Sequence, residues 1–232
     1  MDSFLSEKQM RLLTTPLYAG WRPGTPFVVA ANVGVFVAAK NPAIVPDVLV
    51  SLDVEMPALT GPERVRSYFV WELGKVPDIV IEIVSDAEGG ELSSKLRAYE
   101  RMRVPHYVVF DPLRKLESQE LMTFSLDGAL YTERDDARFV SQGLALTRWM
   151  GSFEGRRENW LRWTDLDGRL FPTPEESEAR ADDEKARADD EKARADDEKA
   201  RADDATAEAA RAKQRAEELA ARLRALGIEP DG

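Results

Sequence analysis

Six consecutive residues, Ile79-Val80-Ile81-Glu82-Ile83-Val84, constrain this chain more than any other stretch. Five of them are β-branched and apolar, so neither face of a strand built from them suits water. Such a run belongs in the middle of a sheet covered on both faces. Glu82 interrupts it. A carboxylate in that setting is costly to bury unless a cation or hydrogen-bond donors compensate it. The run therefore predicts a central strand and a polar centre within it, either a buried ion pair or a metal ligand.

The flanking sequence supplies the topology. Gly89-Gly90 closes a turn, and residues 91–102 read as a helix whose apolar stripe is Leu92, Leu96, Tyr99 and Met102. Val104-Pro105 ends that helix, and residues 106–110 form the next strand. Strand, helix and strand within about 35 residues match a βαβ-like unit, and the crossover rule places the helix against one sheet face. Ser6 and Gln9 have capping-box spacing, which predicts a short helix near 7–13 ending by Pro16. Residues 27–39, bent at Gly34, and 44–52 read as strands, as do residues 66–71; residues 57–62 read as loop. Asp127-Gly128 marks a hairpin between 121–126 and 130–133, and residues 165–168 mark another between 161–163 and 169–171. The segment 144–149 fits neither periodicity.

From about residue 174 the composition collapses to Ala, Glu, Asp, Lys and Arg, and all 5 Trp, 5 Tyr and 9 Phe lie before it. The expected division is a globular domain over 1–172 and a helical tail over 173–232, with Thr173 as N-cap and Pro174 in the first turn. Ala-Arg-Ala-Asp-Asp-Glu-Lys repeats three times from Ala179 to Lys199. Seven-residue spacing invites a coiled coil, yet the seam alternates Ala with Glu before it improves toward Leu219, Leu223 and Leu226. Pairing of two chains, through the domain or through this C-terminal helix, is an expectation that the seam alone does not establish.

The net charge is −11, of which the tail supplies −7, leaving about −4 on the domain. An acidic body opposes general attraction to nucleic acid, so DNA binding would need a local basic patch. With no cysteine, disulfides and thiolate metal sites are excluded. The N-terminus lacks a basic region followed by an apolar run, and no stretch approaches a membrane span. The expectation is a soluble cytoplasmic protein that does not engage a membrane.

Candidate chemistry centres on Asp47, Glu82 and Lys95. Alone, Asp47 after Pro46 reads as a strand-start cap, and Lys95 as an i, i+4 ion pair with Glu91. As a set, two acids on or beside apolar strands and a lysine on the following helix fit metal-assisted phosphodiester hydrolysis. Two carboxylates hold the cation, and a lysine stabilises charge developing on the phosphate. Asp111 reads equally as a turn or a site residue; Asp53, Glu72 and Asp78 read as surface acids. His106 is the only histidine and reads as a core or strand-start residue. Asp165-Leu166-Asp167-Gly168 lacks the remaining ligands of a calcium loop and reads as a turn.

Pro46-Asp47-Val48, residues 80–85, Glu91 with Lys95 and Tyr99, and Tyr107-Val108-Val109-Phe110-Asp111-Pro112 together resemble the Uma-two family. Trp71-Glu72-Leu73-Gly74-Lys75 and Trp160-Leu161-Arg162-Trp163 resemble it too. These are restriction endonucleases of the PD-(D/E)XK nuclease superfamily. The resemblance covers about residues 5–175. It implies an α/β (α+β) fold, a mixed central sheet flanked by helices, and a magnesium-dependent DNA endonuclease in which manganese could substitute. Carried over by position, Asp47 and Glu82 are the metal ligands and Lys95 is the catalytic lysine. The superfamily's lysine two residues after the strand acid is missing, because Val84 stands there. The rival expectation is a catalytically inactive nuclease-fold scaffold whose helical tail mediates oligomerisation or partner binding.

Overall fold

The structure, a computed structural model, describes residues 3–61, 64–85 and 90–225. It divides into two compact units, Met1–Glu175 and Glu176–Gly232. The first opens with helix α1 (Phe4–Gly20), then strands β1 (Phe27–Ala31), β2 (Val35–Phe36), β3 (Val48–Leu52) and β4 (Tyr68–Phe69), the single turn α2 (Val70–Leu73) and strand β5 (Ile79–Ile83). A π-helical turn (Glu91–Lys95) runs into α3 (Leu96–Met102). Strands β6 (His106–Phe110), β7 (Leu121–Asp127), β8 (Leu130–Arg134), β9 (Arg138–Phe139), β10 (Leu144–Phe153) and β11 (Arg156–Thr164) follow, and helix α4 covers Pro174–Ala225.

The main sheet has the order β1-β3-β5-β6-β7-β8. Only the β5–β6 pair is parallel; the other neighbours are antiparallel, so the sheet is mixed. All five residues of β5 are buried. Ile79, Ile81 and Ile83 face a core shared with Leu13 and Leu17 of α1 and with Leu161 and Trp163 of β11. Val80 and Val84 face a second core with Tyr99, Met102 and Tyr107. Each fully buried Ile or Val contributes roughly 1.5–3 kcal/mol, which anchors β5 from both sides. The second sheet, β11-β10-β9, is fixed to α1 by Gln9, whose amide donates to the Leu161 carbonyl (2.8 Å) and accepts from the Leu161 N–H (2.9 Å).

Several boundaries differ from the sequence reading. Ser3, not Ser6, caps α1, accepting a hydrogen bond from the Ser6 N–H, and the helix runs through Pro16 to Gly20. Leu13 and Leu17, both fully buried, hold the segment on either side of that proline. The continuous strand expected over 27–39 splits, because Asn32 takes a left-handed φ of 55° after β1. The 44–52 strand starts only at Val48, with Ile44 making an isolated bridge to Val35. Residues 66–71 give the two-residue β4 and then helix. The undecided segment 144–149 is the first part of β10, paired with β11 from Ala145 onward. Residues 165–168 do form a turn, but beyond it only Leu170 bridges back to Thr164. Pro62, Gly89 and Leu226 lie outside the described residues.

In the second unit, α4 is 52 residues long with no buried residue. At 1.5 Å per residue it extends about 78 Å. Asp197 and Arg201 pair at 2.9 Å with i, i+4 spacing, and the repeat places the same Asp→Arg spacing at Asp183/Arg187 and Asp190/Arg194. Acid N-terminal to base is the favourable order for such pairs. No described helix is long and apolar enough to cross a membrane.

Candidate functional site

Sheet register brings the two predicted acids together. Val48 pairs with Ile81 across the antiparallel β3–β5 ladder, so Asp47, one residue earlier, lies opposite Glu82. The Asp47 carbonyl accepts the Asn32 N–H (3.1 Å) and its Oδ2 accepts the Ile83 N–H (2.6 Å). Asp47 is thus braced against both neighbouring strands.

Glu82 has no exposed surface. Its Oε1 accepts the Tyr99 hydroxyl at 2.6 Å and its Oε2 accepts Lys95 Nζ at 2.8 Å. Burial, and then the charge of Asp47, push its pKa up to about 7, and the lysine and the phenol offset this only in part. Burial works against the charge on Lys95, but Glu82, Glu91 and Asp47 outweigh it and hold the ammonium above its ordinary pKa. Tyr99 lies far above the usual phenol value because of its own burial and the adjacent Glu82. It is therefore a permanent donor to the carboxylate.

Lys95 reaches the centre through the π-helical turn. Its N–H donates to the Gly90 carbonyl (3.0 Å), a span of five residues, while Gly90 itself takes φ 74°. A Cβ at Gly90 would lie 2.5 Å from Ser94 Oγ, so glycine meets both demands. The wider turn shifts the helix face. Leu92, expected in the apolar stripe, is 38% exposed, whereas Glu91 is 4% exposed. Tyr99 and Met102, past the turn, are buried as expected. Glu91 Oε1 lies 3.3 Å from Lys95 Nζ, and its carbonyl accepts the Tyr107 hydroxyl (2.9 Å). Among the described residues its other oxygen, Oε2, is buried with no hydrogen-bond partner. π-turns of this kind recur at functional sites.

The structure therefore gathers Asp47, Glu82 and Lys95, and adds Glu91 and Tyr99. Tyr99 read as part of the apolar stripe and, with Glu91 and Lys95, as part of the family resemblance, without a role of its own; its signal was a polar handle in that stripe, four residues after Lys95. The other acids act elsewhere. Asp111 is fully buried and accepts the Lys115 and Leu116 N–H groups at 3.0 and 2.7 Å, building the turn after β6. Asp78 accepts from Leu52 N–H and from Lys75 at the amino end of β5. Asp53 accepts the Thr25 hydroxyl, and Glu72 is exposed. His106 shares a hydrogen bond with Ser125 and packs edge-on to Phe139, a core role. Asp165 accepts two N–H groups of its own turn.

The donor set suits a hard divalent cation. Glu82 and Glu91 pair with one ammonium and Asp47 adds to its field, all candidate ligand atoms are oxygen, and among the described residues Glu91 Oε2 has no hydrogen-bond partner. Among the described residues no group of three or more His, Cys, Asp or Glu forms a ready-made cage. Magnesium does not require one, since it keeps several waters and uses one or two carboxylates together with substrate phosphate.

Fold and centre define an α/β protein with a mixed central sheet and a buried acid–lysine group across two neighbouring strands and the following helix. The family model Uma2, described as "Putative restriction endonuclease", matches residues 2–147. The chain belongs to that family. It is also similar to a solved structure from Anabaena variabilis described as a putative nuclease belonging to DUF820. The identity is 14%, covering 59% of this chain and 70% of that one, with a TM-score of 0.43. No curated protein matches.

Proposed function

We propose that the protein is a metal-dependent DNA endonuclease hydrolysing phosphodiester bonds. The observation that carries this is Glu82, a fully buried carboxylate held between Lys95 and Tyr99 and facing Asp47. Asp47 and Glu82 would hold Mg2+, or Mn2+ in its place. When bound, a divalent ion polarises a phosphoryl oxygen and makes water a stronger nucleophile at neutral pH.

The chain's own residues do the rest. Tyr99 fixes one Glu82 oxygen, and the Ile83 N–H fixes Asp47, so both acids are oriented before substrate arrives. Lys95, about a third exposed, is the cation that can face solvent and place positive charge beside a scissile phosphate. Glu91 offers that ammonium a second anchor when Glu82 is otherwise engaged.

The test is nicking of supercoiled plasmid DNA in Mg2+ and in Mn2+. Wild type should cut. Asp47→Asn, Glu82→Gln and Lys95→Met should each lose at least 100-fold in rate, on the order of 3 kcal/mol of transition-state stabilisation. Cutting by the Glu82→Gln protein at wild-type rate would remove the assignment of the site, and an inert wild type would remove the activity.

A further inference from the structure

Lys95 stands between two braced carboxylates. Its Nζ donates to Glu82 Oε2 at 2.8 Å and to Glu91 Oε1 at 3.3 Å. Neither acid has much room to follow it. Glu82 has no exposed surface, and its Oε1 accepts the Tyr99 hydroxyl at 2.6 Å. Glu91 is 4% exposed, and its carbonyl accepts the Tyr107 hydroxyl at 2.9 Å. Both tyrosines are fully buried, and their ring centroids lie 5.1 Å apart. One packed aromatic pair therefore steadies both acids.

Lys95 is the mobile member of the group. Its side chain is 32% exposed, and an ammonium on a four-carbon stem carries three rotatable donors. Glu91 precedes it by four residues, a spacing at which acid and base meet on one helix face. Glu91 also holds acceptor capacity in reserve, because among the described residues its buried Oε2 has no hydrogen-bond partner. A buried acceptor left unpaired is costly, and a further N–H from the ammonium would relieve that cost. On Glu82, Tyr99 holds Oε1 and Lys95 holds Oε2, so Oε2 is the oxygen open to exchange. An ammonium and a divalent cation repel one another at such a range.

We infer that Lys95 is the resident counter-ion of the metal site, and that Glu91 is the positioning residue that receives its ammonium when Glu82 turns to a divalent cation. The inference rests on the nuclease reading and adds an order to it. Lys95 is committed to Glu82 in the metal-free protein and turns toward a phosphate only once a cation is bound. Glu91 touches no reacting atom and acts through Lys95.

The experiment is calorimetric titration of Mn2+ into the full-length protein without DNA at pH 8, across a double-mutant cycle of Glu91→Gln and Lys95→Met. Glu91→Gln leaves the ammonium nowhere to go but Glu82, so Mn2+ affinity should fall about 10–100-fold, the range for residues that orient a ligand set. With Lys95→Met there is no ammonium to receive, and the same substitution should cost about fivefold less. What remains measures the field of the Glu91 carboxylate at the cation. Thermal melting reports that each variant is folded, and Lys95→Gln, which keeps a neutral donor to Glu82, replaces the methionine background if that variant does not melt cooperatively. Equal losses in the two backgrounds would make Glu91 a direct ligand or a structural residue and overturn the handover. Unchanged affinity in Glu91→Gln would overturn it and leave the nuclease reading standing. Wild type that binds no Mn2+ would also overturn it, and the plasmid assay then decides the nuclease reading separately.

Discussion

Replacing Glu82 by glutamine should reveal a proton held by the folded domain. The carboxyl titrates near 7 when folded and near 4.5 in its ordinary state. Below about pH 4.5 both states carry the proton and the group is neutral toward folding. Between those values the unfolded chain releases the proton while the folded chain keeps it, so stability falls as pH rises. Above about 7 the loss is complete. A shift of about 2.5 units corresponds to about 3 kcal/mol, an order-of-magnitude figure at 1.36 kcal/mol per unit. Glutamine cannot titrate, and its amide retains the contacts, accepting from Lys95 while donating to the Tyr99 oxygen. The assay is urea unfolding of both proteins in metal-free buffer from pH 5 to 8.5, followed by tryptophan fluorescence. All 5 Trp lie before residue 164, so the signal reports the domain and not the tail. The difference between the two proteins should grow by about 3 kcal/mol in favour of Glu82→Gln as pH rises. A difference that stays flat would refute the reasoning, because it would mean that Lys95 fully compensates the buried charge.

Other outcomes follow from the same contacts. Adding Mn2+ at pH 8 to 100 times its dissociation constant should return about 2.7 kcal/mol to wild type and nothing to the Glu82→Gln protein, measured by thermal melting. Tyr99→Phe removes a donor that lowers the Glu82 pKa, so the acidic limb of the kcat/KM profile for plasmid nicking should move to higher pH. Gln9→Ala leaves the Leu161 N–H and carbonyl unpartnered in the core and should cost about 2–4 kcal/mol in urea unfolding. Asp111→Ala frees the Lys115 and Leu116 N–H groups. It should cost about 2 kcal/mol, read by urea unfolding.

The parts of this fold that follow from local chemistry were legible in the sequence. The apolar run at 79–84 fixes a doubly covered strand whatever its partners, and a helix between two such strands fixes their parallel pairing. The approach of Asp47 to Glu82 was legible as a pattern of motifs, although the register that causes it depends on how β3 meets β5. What could not be read was set by tertiary demands. The π-turn inverts the exposure of Glu91 and Leu92, and ordinary 3.6-residue periodicity hides that. Ser6 has the look of an N-cap, yet it sits one turn inside α1 because Ser3 takes that role. The exchange of hydrogen bonds between Gln9 and Leu161 joins residues 152 positions apart, and no local signal announces it. Strand β10, the middle strand of the second sheet, begins in the segment 144–149 that fits neither periodicity, and its pairing with β11 and β9 is what defines it.

The seven-residue repeat in α4 has a consequence for how this chain can change over generations. Seven residues advance a helix about 10.5 Å while turning it within about 20° of two whole revolutions. Gain or loss of one Ala-Arg-Ala-Asp-Asp-Glu-Lys block therefore alters reach without much altering the bearing of whatever follows. It also preserves the i, i+4 Asp→Arg spacing from each remaining block to the next. The physical outcome of such a change is a helix of another length and nearly the same heading.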